Sequence, residues 1–304
     1  MTVKLSCRSQ AMFGKTCLVT GATAGIGRVT ALELAHMSAN VIIVGRNPAK
    51  CAVTAIDIRE ETGNPHVEFL VADLSSQEQI RDLVKSFKER HQKLDVLVNN
   101  AGALHFGREK SVDGIEKTFA LNHLAYFMLT NLLLDVMVDT ASARIVNVAS
   151  SAHKVGRLNV QDAHSPNRYF GWRAYSRSKL CNVLFTYELA RRLKGTSVTA
   201  NALDPGLVAT NFLTNNGLMG SLGNFLLGVR GISVEEGART SVYTASSPDM
   251  EGLSGKYMVK KRSVRSSKRS YDEDLQTALW KVSSKLTGVE FEVPVATAPE
   301  LVAA

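Results

Sequence analysis

Short apolar runs alternate with longer amphipathic segments along the chain. The runs are rich in β-branched residues and lie at Thr16–Thr20, Val41–Val44, Val67–Val71, Asp95–Val98, Ile145–Val148, Val198–Ala202 and, more briefly, Lys256–Val259. Nearly every position in them is apolar, which is typical of strands whose two faces are both buried in a parallel sheet. The pattern therefore predicts seven such strands.

The segments between the runs carry apolar residues at helical spacing. One apolar stripe contains Ile80, Leu83, Val84 and Phe87. A capping box from Ser75 to Glu78 is predicted in front of it. Longer helices are predicted over about 114–138, 173–193 and 272–286.

Strands that alternate with single helices form right-handed βαβ units. The predicted fold class is therefore α/β, a single doubly wound (Rossmann) domain whose mostly parallel seven-stranded sheet has helices on both faces. No linker rich in proline, glycine and serine divides the chain. We place the domain at residues 13–288 and treat residues 1–12 and 289–304 as terminal extensions.

The composition is that of an ordinary globular protein, with 45% hydrophobic and 21% charged residues. The formal net charge is +8, and much of the excess lies in the basic run 260–269. Such a run is usually a solvated loop, and the alternative is a peripheral attraction to anionic lipid or to an anionic substrate. We expect no nucleic-acid partner.

Neither a membrane span nor a secretion signal is apparent. No window approaches about 18 consecutive apolar residues, and Met1–Met12 lacks an apolar core of signal-peptide length. Four cysteines, Cys7, Cys17, Cys51 and Cys181, include no close-spaced pair, which favours reduced thiols. We expect a cytoplasmic protein without an integral membrane span.

A glycine-rich turn directly follows the first predicted strand. Residues 20–27 read TGATAGIG, and a helical pattern begins at once. A strand that turns tightly into a helix directs free backbone N–H groups and the positive helix end at an anion. Gly21 permits the turn, Gly25 lets a diphosphate approach, and Gly27 lets helix and strand pack closely. The predicted dinucleotide site also includes Thr23 and Ile26.

The end of the second predicted strand indicates which dinucleotide binds. NAD enzymes carry a carboxylate there, which accepts hydrogen bonds from the ribose 2′-hydroxyl. This chain has Gly45-Arg46-Asn47 instead. A guanidinium pairs with a 2′-phosphate, which a carboxylate would repel. NADP(H) is therefore the predicted cofactor, with Arg28 as a second candidate contact, and the alternative is that Arg46 merely faces water.

Other candidate cofactor contacts lie at the carboxyl ends of later strands, where ligands of such sheets bind. Asp73 closes the third strand, beside Leu74, and is placed to hydrogen-bond the adenine amine. The fourth strand ends in Asn99-Asn100-Ala101-Gly102. From it we assign Asn100, Ala101 and Gly102 to the site.

A candidate proton-handling group lies at the start of the predicted helix 173–193. Tyr175 and Lys179 are four residues apart and so share a helix face. A tyrosine with its ordinary pKa of about 10 is a poor base, and a neighbouring cation that lowers this pKa prepares it for proton exchange. Ser150 ends the fifth strand and can donate to a developing alkoxide. Asn122 lies inside a predicted helix, where asparagine is unfavourable unless its side chain has a function. It could hold a water molecule that links Lys179 to solvent. The alternative is that its side chain is exposed or caps a helix.

Together these motifs resemble those of the short-chain dehydrogenase/reductase family over about residues 13–287. The resemblance implies that Tyr175 is the general acid/base, that Lys179 lowers its pKa and holds the nicotinamide ribose, and that Ser150 orients the substrate. It also implies that Asn122 completes a proton relay. The residues it implies for the carboxamide side of the nicotinamide are Pro205, Gly206, Val208 and Thr210.

A closer likeness is to the retinol dehydrogenase branch of this family. The similar segments are 121–124, 150–153, 178–182, 188–193 and 279–288. Asp204 stands where that branch often has histidine. The family likeness also implies a homo-oligomer, either a dimer or a tetramer.

Residues 212–232 are apolar, interrupted by glycine, and follow the nicotinamide motif. We therefore predict a lid that excludes water over a hydrophobic substrate, and the alternative is an ordinary packed helix. The predicted activity is hydride transfer between NADP(H) and the carbonyl or alcohol group of a retinal-like compound, a long-chain aldehyde or a bulky ketone, with reduction favoured. The histidines have no metal-binding spacing, so no metal is expected.

Two other functions remain open from the sequence. One is a non-catalytic NADP(H)-binding regulator that keeps the fold. The other is a sugar-nucleotide epimerase, which shares the Tyr-x-x-x-Lys spacing but differs in its glycine spacing and normally has a larger C-terminal domain.

Overall fold

One sheet of eight strands runs through residues 11–162, 169–208 and 232–292, the parts of the chain that this computed structural model describes. The strands are β1 Thr16–Thr20, β2 Asn40–Gly45, β3 Val67–Val71, β4 Val96–Asn99, β5 Ala143–Val148, β6 Val198–Asp204, β7 Tyr257–Val259 and β8 Arg262–Ser263. They lie in the order β3-β2-β1-β4-β5-β6-β7-β8, and all neighbours are parallel except β7 and β8. The order reverses between β1 and β4, so the predicted doubly wound α/β fold is confirmed.

The strand count of seven is wrong by one. Lys260 and Lys261 both have positive φ, 48° and 63°, and turn the chain back so that β8 pairs antiparallel with β7. Such two-residue turns usually contain glycine or asparagine, because other residues are strained at positive φ. Because the turn positions are both lysine, the sequence contained no glycine or asparagine that would have indicated the hairpin. The basic run 260–269 therefore begins as this hairpin, and its residues 261–265 are exposed.

The helices cover both faces of the sheet. They are α1 Gly25–His36, α2 Pro48–Thr62, α3 Gln77–Lys88, α4 Lys117–Phe119, α5 Ala125–Leu132, α6 Asp135–Val138, α7 Gly171–Arg192, α8 Val234–Ser246 and α9 Glu273–Thr287. Alternate strand residues enter two separate cores, so that Leu18 packs with the α3, α5 and α7 side and Val19 with the α1 side. This is why the strands read as apolar on both faces.

Two helix boundaries differ from the sequence predictions. The segment expected as one helix over 114–138 consists of α4, a π-helical turn at Ala120–Leu124, α5 and α6. Helix α4 begins late because the carboxylate of Glu116 accepts hydrogen bonds from the N–H groups of Thr118 and Phe119. Ser76, rather than Ser75, caps α3 by accepting from Gln79 N, so the predicted capping box was misplaced by one residue.

The predicted lid over 212–232 lies almost entirely outside the described residues. Its last residue, Ile232, forms a parallel bridge with Val208 and donates its N–H to Leu207 O at 2.8 Å. At the other end of the described chain, Val289 is buried and Phe291 packs edge-on against Trp280, 5.3 Å between ring centroids.

Candidate active site

A cleft of about 850 Å³ opens at the carboxyl ends of the strands. It is bounded by the glycine turn after β1, the ends of β2 to β6 and the start of α7. The predicted cofactor residues that line it are Gly21, Thr23, Gly25, Ile26, Gly27, Arg46, Asp73, Leu74, Asn100, Ala101, Gly102, Tyr175, Lys179, Pro205, Gly206 and Val208. Thr210 lies outside the described residues.

The glycine turn is shaped so that a diphosphate can meet its backbone. Gly21 has φ +65°, and a Cβ there would lie 2.8 Å from Ala101 Cα. A Cβ on Gly27 would lie 2.4 Å from Gly21 O, so α1 and the turn approach too closely for any side chain. Ala24 provides no side-chain cap for α1, and the first turn contains no acidic residue. The first N–H groups of α1 therefore suit an anionic group.

Thr20 and Asn100 hold this turn against β4. The Thr20 hydroxyl accepts from the N–H groups of Asn100 and Ala101 at 2.8 and 3.0 Å and donates to Val98 O. The amide of Asn100 donates to Thr20 O at 2.8 Å. Asn100 thus fixes the shape of the turn as well as lining the cleft.

Positive charge gathers at the end of β2. Arg46 and Lys50 both line the cleft there, next to Gly45, where a Cβ would lie 2.7 Å from the Thr23 methyl. Arg28, the second candidate contact, is not among the residues that line the cleft. Its guanidinium instead lies 3.8 and 3.7 Å from the carboxylates of Asp57 and Glu61 on α2.

Ser150, Tyr175 and Lys179 meet in the same cleft, so the expected juxtaposition of phenol, ammonium and hydroxyl is present. Lys179 is buried, donates to Val148 O at 2.9 Å, and holds its Nζ 5.7 Å from the centre of the Tyr175 ring. Ser150 Oγ accepts from Ala152 N at 3.2 Å. That bond uses an acceptor site of the hydroxyl, so the hydroxyl can still donate its proton, and Tyr175 is one acceptor that it meets in the cleft.

The titration of the two central groups is governed by burial. Burial raises the pKa of Tyr175 to about 12, a hydrogen bond from Ser150 opposes this rise, and the negative charge of Asp204 adds to it. Burial lowers the pKa of Lys179 to about 8, against the opposite effect of Asp204. The pKa of Tyr175 thus moves in the direction opposite to the one expected, because desolvation and the charge of Asp204 outweigh the hydrogen bond from Ser150.

Asn122 lies behind the cleft, fully buried in the π-helical turn. Its side chain accepts from Ala103 N at 2.9 Å and donates to Ala103 O at 2.9 Å and to Ser178 Oγ at 3.0 Å. It therefore connects the loop after β4 with α7, and neither the exposed nor the capping alternative holds. Its part in a proton relay stays a prediction.

Residues 15–219 match the sequence model of the family described as short chain dehydrogenase. The chain belongs to this family. Among similar proteins, the human polyprenol dehydrogenase is 42% identical over 90% of this chain and 86% of its own length. Human retinol dehydrogenase 13 is 40% identical over 94% of this chain and 88% of its own.

Solved structures agree with this assignment. A protein from Mycobacterium paratuberculosis is 33% identical, with a TM-score of 0.75 over 92% of this chain and 96% of its own. RhlG of Pseudomonas aeruginosa, in an active-site complex with NADP, is 26% identical, with a TM-score of 0.64 over 82% of this chain and 96% of its own. The short-chain dehydrogenase described here is thus an oxidoreductase that acts on alcohol or carbonyl groups, resembling the retinol dehydrogenases.

Sequence reasoning missed the apolar side of this dehydrogenase's cleft. Val155, Trp172 and Leu207 line it, and the Trp172 ring stacks on Tyr175 with 5.8 Å between centroids. Trp172 could have been found, since it precedes Tyr175 by three residues and so shares its helix face. Val155 and Leu207 come from loops, where no periodic signal exists.

The described residues also bear on the expectations about membrane spans, metal sites and cysteines. None of the helices there is both long and apolar enough to cross a membrane. No three His, Cys, Asp or Glu side chains in these parts gather to hold a metal ion. Cys17, Cys51 and Cys181 are buried free thiols.

Proposed function

We propose that this dehydrogenase uses NADP(H) to interconvert hydrophobic alcohols and their carbonyl counterparts, with Tyr175, Ser150, Lys179 and Asn122 as its catalytic set. The observation that carries the proposal is the shared cleft. The phenol, the ammonium and the serine hydroxyl open into the same space as the uncapped helix end and Arg46. A protein that only binds a nucleotide does not require a phenol, an ammonium and a serine hydroxyl in its cleft.

The charge at the end of β2 supports NADP(H) over NAD(H). Arg46 and Lys50 flank the place where a ribose 2′-substituent is bound in this fold, and β2 ends without a carboxylate. A 2′-phosphate would gain charge-assisted hydrogen bonds there. The NADP complex of the related RhlG agrees with this choice.

The bound nicotinamide would supply or accept the hydride. The chain's own residues handle the proton. Tyr175, whose pKa burial raises to about 12, is protonated at neutral pH and can donate its proton to a carbonyl oxygen during reduction. Ser150 donates a hydrogen bond to the same oxygen, and Lys179 holds the ribose and returns a proton towards Tyr175. Asn122 fixes the loop and helix on which these groups depend.

A rim of exposed apolar side chains supports a hydrophobic substrate. Phe106, Val155, Phe170, Trp172 and Leu207 are 43, 64, 59, 47 and 59% exposed. Three of them line the cleft itself. A soluble domain rarely exposes such a group of large apolar side chains without a binding role. Two similar proteins are named for polyprenol and retinol, both apolar alcohols, and this fits the rim.

The proposal is tested by following NADPH oxidation with a panel of retinal, medium and long aldehydes and bulky ketones. We expect turnover that increases with the apolar length of the substrate, since longer chains cover more of the rim. A hydrophilic aldehyde such as glyceraldehyde is the control and should be a poor substrate. Tight NADPH binding without turnover of any compound would contradict the proposal and favour the non-catalytic alternative.

Replacing Arg46 by aspartate should reverse the cofactor preference. The carboxylate would repel the 2′-phosphate and accept hydrogen bonds from a free 2′-hydroxyl. We expect the ratio of kcat/KM for NADPH to that for NADH to fall at least about 100-fold, an effect of about 2.7 kcal/mol. The Arg90→Asp variant, changed at an exposed position that follows α3 and lies outside the cleft lining, controls for the charge itself. An unchanged ratio in Arg46→Asp would contradict the assignment of the 2′-phosphate site.

A further inference from the structure

His153 is fully buried, yet both of its ring nitrogens have hydrogen-bond partners. Its Nε2 lies 3.0 Å from the backbone N of Ser267, and its Nδ1 lies 2.7 Å from the carbonyl O of Ser150. These two partners are 117 residues apart in the sequence, the difference between 267 and 150. The ring therefore joins the end of β5 to the segment that follows β8.

The partners determine the protonation state of the ring. A backbone N–H can only donate, so Nε2 accepts from Ser267, and a carbonyl can only accept, so Nδ1 carries the hydrogen that is donated to Ser150. The imidazole is thus neutral, with its proton on Nδ1. Burial lowers the pKa of His153 and favours this neutral form, although the nearby Asp204 works in the opposite direction and Lys154 adds to the lowering.

His153 hydrogen-bonds the carbonyl of Ser150, the residue whose hydroxyl must point into the cleft. Ser150 precedes a 3-10 turn over Ser151–Lys154, and its carbonyl also accepts from the backbone N of His153 at 3.1 Å. Two bonds to this carbonyl fix the peptide plane, and the bond from Ala152 N fixes the Oγ. The direction of the hydroxyl into the cleft is therefore determined by this turn.

The other end of the link is itself rigid. Ser266 Oγ lies 2.7 Å from Tyr187 Oη on α7 and 2.6 Å from Ser270 Oγ. The Arg269 guanidinium donates to Gly156 O at 3.2 Å, just beyond the 3-10 turn. The Tyr257 ring packs 4.8 Å from the imidazole, between centroids. The segment 266–270 thus provides a fixed anchor for His153.

We propose that His153 is a positioning residue for catalysis: its Nδ1–H bond to the Ser150 carbonyl holds the Ser150 hydroxyl on the substrate oxygen, while the Ser267 N–H fixes the tautomer that makes this bond. The inference rests on the proposed role of Ser150. It assigns a task in the reaction to a histidine that does not itself touch the reacting atoms.

Two amide substitutions separate the two bonds. In His153→Asn the side-chain amide reaches the position of Nδ1, so it can still donate to Ser150 but not accept from Ser267. In His153→Gln the amide reaches the position of Nε2, so it keeps the Ser267 side and loses Ser150. Each variant leaves one buried bond unmade, so both should lower Tm by similar amounts.

We expect kcat of His153→Gln to fall at least about 10-fold, since small displacements of a group at the reacting centre are costly. The asparagine variant should stay within about threefold of the wild type, and KM and the Kd for NADPH should change little in either. In a Ser150→Ala background, His153→Gln should cause no further loss of kcat, because the two residues act as one unit. Equal losses of kcat in both amide variants, or an additive loss in the double variant, would overturn the proposal.

The protonation state is tested separately by ¹⁵N NMR of the histidine-labelled full chain. We expect the His153 ring to show a protonated Nδ1 and an unprotonated Nε2 at pH 7, and the opposite tautomer or a charged ring would overturn the link. A wild-type protein that turns over no panel substrate refutes the proposed function, whereas an active wild type with indistinguishable amide variants refutes only the role of His153.

Discussion

Replacing Tyr175 by phenylalanine is expected to lower kcat at least about 1,000-fold while changing the Kd for NADPH less than about threefold. The variant removes the only atom of this side chain that can donate a proton to the substrate oxygen, and general acid catalysis typically contributes about 10²–10⁴-fold. The ring itself remains, so its stacking on Trp172 should persist. Stopped-flow NADPH oxidation gives kcat, and fluorescence titration gives the Kd.

Tyr243→Phe is the matched control for the loss of a phenolic hydroxyl. Tyr243 lies on α8, and its hydroxyl donates to the exposed Asp249 carboxylate at 3.2 Å, away from the cleft lining. This variant should keep the wild-type kcat. Substantial turnover by Tyr175→Phe would contradict the assignment of Tyr175 as the general acid.

Replacing Gly27 by alanine is expected to raise the Kd for NADPH at least about 100-fold. The added Cβ would lie 2.4 Å from Gly21 O and 2.5 Å from the Asn100 amide nitrogen, so the backbone of the turn must move. That movement displaces the N–H groups of α1 that meet the diphosphate and breaks close packing between α1 and β1. We also expect a lower Tm, because overpacking costs about 1–3 kcal/mol.

Gly107→Ala is the control, since a Cβ there meets nothing within 4 Å. It should bind NADPH as the wild type does. The Gly27→Ala titration is made well below its Tm, with circular dichroism to establish that the chain is folded. A folded Gly27→Ala protein with wild-type affinity would contradict the diphosphate site.

The alternation of short apolar runs with amphipathic segments was sufficient to predict the fold. Strand β1 begins and ends where predicted, at Thr16 and Thr20, because its residues are buried from both sides and leave no ambiguity of period. The polar part of the candidate site could also be predicted, since most of its residues stand at strand ends or at helical spacing, whereas the apolar residues Val155, Trp172 and Leu207 were missed. The strands could thus be predicted because both faces of a parallel sheet are buried, and the site because ligands bind at the carboxyl ends of the strands.

Other features depend on contacts that a local pattern cannot contain. The direction in which the pKa of Tyr175 moves is decided by how much of the surrounding chain excludes water. The bond between His153 and Ser267 joins residues 114 positions apart. The π-helical turn at Ala120–Leu124 goes with the cap at Glu116 and with the hydrogen bonds between Asn122 and Ala103. The helical spacing of apolar residues contains no sign of these bonds.

The β7–β8 hairpin also bears on the solubility of the protein. A sheet that ends in an open strand offers unpaired N–H and C=O groups to other chains, and proteins protect such ends with short strands and lysine. Here the outermost strand is only two residues long, at Arg262–Ser263, and follows two exposed lysines. Two copies that approached through this edge would bring these positive charges together, so the fold discourages aggregation at one of the two open edges of its sheet, the other being β3.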